Sequence, residues 1–112
     1  MLYVVAARFT PRVSFAQYNS AEDNVQLSFL TTLGVQDVKL ARLLSLNLAD
    51  IRRANPGLRV YTPPGQMHTI LRRPEFYTLA VDGVAVRDWV AGLLDGVRVP
   101  DVGESLLADS VR

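Results

Sequence analysis

Asp23 and His68 are the two side chains whose types and order along the chain suit a shared chemistry. An imidazole takes and returns a proton near neutral pH, and a carboxylate against its other nitrogen fixes the tautomer and stabilises the imidazolium. Such a pair serves a serine nucleophile, and in one chain order the nucleophile comes first, then the acid, then the base. Ser14, Ser20, Ser28, Ser45, Ser105 and Ser110 are the serines present, and none has the Gly-x-Ser-x-Gly setting that builds an exposed elbow. The expectation is an acid and a base without their nucleophile. Each residue also has a plainer reading. Ser20-Ala21-Glu22-Asp23 has the spacing of a helix capping box, and a single His is commonly an ordinary hydrogen-bonded loop residue.

Composition narrows the other classes. Twelve basic and eleven acidic side chains leave a net charge of +1, so no overall field favours nucleic acid or an anionic membrane. With no Cys and one His, disulfides, thiol catalysis and multi-His or Cys-based metal sites are excluded, and no cofactor is expected. The apolar start, Met1 to Ala7, lacks a basic lead and is too short for a signal peptide, so the chain reads as soluble and unexported. A hydrophobic fraction of 49% hints at a surface that expects cover.

The elements that must position Asp23 and His68 are short. Leu2 to Phe9 is read as a helix ended by Thr10-Pro11, and Arg12 to Tyr18 as a strand ending near Asn19, in which Val13, Phe15 and Ala16 suit a pleated surface. Glu22 to Leu33 places Val25, Phe29 and Leu33 on one side of a helix stopped by Gly34. A second helix spans Asp37 to Ala54, with Leu40, Leu43, Leu44, Leu48 and Ile51 as its apolar stripe and Asn55-Pro56-Gly57 as its end. Leu58 to Thr62 alternates as a strand, and Pro63-Pro64-Gly65 forces the loop that carries His68. Phe76 to Val81 and Val84 to Val86 flank the hairpin turn Asp82-Gly83, before a helix over Arg87 to Leu94. From Gly96 the tail reads as a weakly structured exit with a short turn near Glu104 to Ala108. The whole is taken as one unit, 1–112.

Two segments resemble one family. Phe15-Ala16-Gln17-Tyr18-Asn19-Ser20-Ala21-Glu22-Asp23-Asn24-Val25-Gln26 is similar to the acid-bearing segment of the pectin acetylesterase (Notum-like) family, and Tyr61-Thr62-Pro63-Pro64-Gly65-Gln66-Met67-His68-Thr69-Ile70-Leu71 to its His-bearing segment. Phe76-Tyr77-Thr78, Gly83 and Asp88-Trp89-Val90 resemble its bacterial branch, so the likeness runs over 12–94. The resemblance implies an α/β class, specifically the C-terminal portion of an α/β-hydrolase-like sheet with flanking helices. It implies a serine carboxylic ester hydrolase in which Asp23 and His68 are the catalytic acid and base, an ester substrate, and a missing N-terminal part that bears the serine. Family members are often secreted, which leaves localisation open.

Other features carry alternatives. Leu48 to Leu58 resembles the second half of a LysM carbohydrate-binding module, without that module's opening strand and Gly-Asp-Thr turn. An inactive hydrolase remnant is a third reading. Arg72-Arg73 reads as solvated charge, Arg52-Arg53 as complementing a helix dipole, and Phe76, Tyr77 and Trp89 as packing.

Overall fold

The computed structural model describes residues 13–37 and 39–109, together with Val5, Arg8 and Phe9. The expected helix at Leu2 to Phe9 falls largely outside these residues, as does Arg12; Val5, Arg8 and Phe9 are themselves helical. The chain is a mixed α/β unit with two small sheets. Its order is β1 (Ala16–Tyr18), α1 (Asn24–Thr32), α2 (Leu40–Ala54), β2 (Arg59–Tyr61), a 3-10 turn (Pro74–Tyr77), β3 (Ala80–Val81), β4 (Val84–Ala85), α3 (Val86–Leu94) and α4 (Glu104–Asp109).

β1 and β2 pair in parallel, Ala16 with Arg59 and Tyr18 with Tyr61, across the two-helix connection. The other edge of β2 is filled by one residue, Val102, whose N–H donates to the Val60 carbonyl while its own carbonyl accepts from Thr62. β2 is therefore central, which is why Leu58, Val60, Tyr61 and Thr62 are all buried rather than alternating in and out. One face of this small sheet packs Leu58, Val60 and Ala21 against Leu44, Leu48 and Ile51 of α2 and Leu107 of α4. The other packs Tyr61 and Val102 against Ile70, Val86, Trp89 and Val99.

Several expectations need correction. The stripe of α2 buries Leu40, Leu44, Leu48 and Ile51 as the period requires, but Leu43 is exposed and Ala41 takes the inner place. Val25, Phe29 and Leu33 are all exposed, and no residue of α1 is fully buried. Gly34 ends α1 as expected, in a Schellman arrangement with Val35 N–H to Leu30 and Gly34 N–H to Thr31. The first strand is shorter than expected, Ala16–Tyr18, and Val13 lies before it, exposed. The strand expected over Phe76 to Val81 shrinks to Ala80–Val81, since Pro74 starts a 3-10 turn that includes Phe76 and Tyr77. Tyr77 is exposed, touching Phe76 edge to face, while Trp89 and Phe76 do join the core. Asp82 and Gly83 both take positive φ, as a type I′ hairpin demands.

The tail is not an exit. Beyond Val102 and Leu107, the Pro100 carbonyl accepts from the Trp89 indole at 2.7 Å, and Asp101 accepts the Val60 N–H at 3.0 Å. Arg52 pairs with Asp101 at 3.1 Å and with Glu104, so it clamps α4 to α2 as well as lying in the last turn of its helix. Gly103 passes so close to Thr62 that a Cβ would lie 1.9 Å from its carbonyl oxygen.

Candidate active site

Asp23 and His68 arrive from loops that leave the C-terminal ends of neighbouring parallel strands, the edge where open α/β sheets assemble their sites. The two loops stay paired. The N–H groups of Asn19, Ala21, Glu22 and Asn24 donate in turn to the carbonyls of Tyr61, Pro63, Gly65 and Gln66, at 3.0 to 3.1 Å. Pro63 and Pro64 have no N–H to compete for partners, and their fixed φ holds the chain extended while its carbonyls accept. The irregular ladder ends beside Met67-His68 on one loop and Asp23 on the other.

The hydrogen bond expected between the pair is present: His68 Nδ1 lies 2.8 Å from Asp23 Oδ2. The other carboxylate oxygen, Oδ1, accepts the N–H groups of Val25 and Gln26 at 3.0 Å each, making Asp23 the N-cap of α1. Capping therefore belongs to Asp23, and the box expected from Ser20 is absent. Ser20 turns its hydroxyl to the Met67 carbonyl, 2.6 Å away. Three donors compensate for the burial of the Asp23 side chain, which is 4% exposed, and the N-terminus of α1 adds a favourable dipole. The His68 side chain is 40% exposed, so its ring reaches solvent while one nitrogen is held. With Nδ1–H donated to the carboxylate, Nε2 is the unprotonated nitrogen of a neutral ring and is free to accept a proton.

Thr69, next in the chain, has φ +60, a costly conformation for a β-branched residue and one that cannot be read from its local sequence. Past it, Thr69, Ile70, Leu71, Arg72 and Tyr18 line an open, largely apolar cleft of about 460 Å³. Arg72 and Arg73 are exposed. At the cleft Tyr18 stacks on Tyr61, ring centres 5.9 Å apart, with its hydroxyl buried. Burial foremost raises the Tyr18 phenol above its ordinary value, with the Asp23 charge adding to it against the pull of the Ser20 hydroxyl. Burial likewise raises Tyr61, whose hydroxyl donates to the Val84 carbonyl at 2.6 Å.

Of the serines, Ser110 lies outside the described residues, and Ser20 is the one built into the loops of the pair; its proton goes to Met67. Among the described residues no group of His, Asp or Glu side chains could hold a metal ion, and no helix is long and apolar enough to cross a membrane. Asn55-Pro56-Gly57 ends α2 and leads into β2. The chain matches no family model, no curated protein and no solved structure.

Proposed function

We propose that this chain supplies the acid and base of a serine carboxylic ester hydrolase of the pectin acetylesterase type, forming the C-terminal portion of an α/β-hydrolase-like sheet. The observation that carries the reading is the 2.8 Å bond between His68 Nδ1 and Asp23 Oδ2, made by residues 45 apart from adjacent parallel-strand loops. In this role His68 Nε2 takes the proton of a serine hydroxyl as that oxygen attacks the ester carbonyl, then returns it to the departing alcohol. A water activated by the same nitrogen releases the acid. Asp23 keeps the ring in the required tautomer throughout. The serine and the oxyanion donors come from polypeptide outside these 112 residues, and the cleft from Tyr18 to Arg72 adjoins the place where the ester would sit.

The test is hydrolysis of acetyl esters by this chain assembled with a nucleophile-bearing segment. His68→Ala should lower kcat by about 10³-fold or more, the scale of losing a triad member. Equal rates in the two proteins would overturn the reading.

A further inference from the structure

The ladder between the two loops stops one residue short of what it must hold. Its last rung reaches the Gln66 carbonyl, and the next peptide, Met67-His68, carries the imidazole. On the far side stands Thr69 in its strained positive-φ conformation. What fixes the Met67 carbonyl is the hydroxyl of Ser20, 1% exposed and 2.6 Å away, reaching across 47 residues. Ser20 lies three residues before Asp23, so one short side chain ties the peptide that aims the base to the segment that presents the acid.

We propose that Ser20 is a positioning residue for His68, acting through the Met67 carbonyl to hold the imidazole in register with Asp23. The Met67 carbonyl lies in a half-buried stretch, where an acceptor that loses its donor turns toward another partner or toward water, so losing the Ser20 hydroxyl drives the Met67-His68 peptide to rotate. Rotation of that peptide swings the ring and lengthens the Nδ1 to Oδ2 bond. A serine that donates to a backbone carbonyl in this way is not also the attacking group. The proposal rests on the esterase reading for its catalytic meaning, but its test does not.

His68 is the one histidine of the chain, so a single imidazole N–H signal in proton NMR reports on the pair without ambiguity. The full chain should show one slowly exchanging Nδ1 proton, abolished in Asp23→Asn. Ser20→Ala should speed its exchange with water roughly five- to tenfold, the worth of one hydrogen bond, and Ser20→Thr should restore it. Trp89 fluorescence reports whether each variant is folded. If Ser20→Ala does not fold, Ser20→Cys keeps the volume with a weaker donor, and its exchange should be faster than that of the native chain. A wild-type exchange rate in folded Ser20→Ala or Ser20→Cys, or no protected imidazole proton in the native chain, would overturn the proposal. An intact proton signal in an assembled protein that hydrolyses no ester would instead remove the esterase reading and leave the role of Ser20 standing.

Discussion

Asp23 does two jobs because a carboxylate has two oxygens, and single substitutions can separate them. Asp23→Asn leaves an acceptor for the Val25 and Gln26 N–H groups yet presents the imidazole with the wrong partner. It should keep the thermal midpoint within a few degrees while, on the proposed esterase role, lowering kcat about 10³- to 10⁴-fold. Asp23→Ala also loses the cap and should cost about 1–2 kcal/mol in urea unfolding. Sequence reading set capping against catalysis as rivals, and nothing in Ser20-Ala21-Glu22-Asp23 could show that one carboxylate both caps α1 and holds His68, since the second contact depends on a loop 45 residues away. The tyrosines give a pH test. Their folded phenols titrate above the ordinary value of 10.0, so folding holds the proton more tightly than the unfolded chain does. The stabilisation is complete below pH 10 and is lost as pH climbs past it toward the folded values. Urea midpoints should fall in that alkaline range, and fall less in Tyr18→Phe.

At the scale of elements, α2 was legible because Leu40, Leu44, Leu48 and Ile51 repeat with the helical period and all find a core. The tail was not, because one bridging residue, Val102, has no period, and Pro100 and Gly103 look like loop punctuation. Its importance is measurable. Leu107→Ala should cost about 2–5 kcal/mol, as for any core leucine, where a frayed tail would give almost nothing. Gly103→Ala should be worse tolerated than its single methyl suggests. The added carbon would meet the Thr62 carbonyl at 1.9 Å, on a backbone at φ +80. A loss of about 3 kcal/mol or more is expected, read as a lower thermal midpoint.

For the whole molecule, the misread side of α1 is informative. The apolar spacing of Val25, Phe29 and Leu33 was visible in the sequence, but spacing reports only that a side wants cover, and here none is present among the described residues. Phe29, 63% exposed, is the largest contributor. With a net charge of only +1 to keep copies apart, the isolated chain should self-associate at high concentration. Phe29→Glu should reduce light scattering and dye binding while changing stability by no more than about 0.5 kcal/mol. The paired loops have a different consequence, for how such a chain tolerates change in length. Since Asn19 to Asn24 and Tyr61 to Gln66 are matched rung by rung, one residue inserted in either loop slides its end along the other by about 3.3 Å, enough to part carboxylate from imidazole. Loop lengths on the two sides are thus tied together, and a second insertion opposite the first is the change that would bring acid and base back into contact.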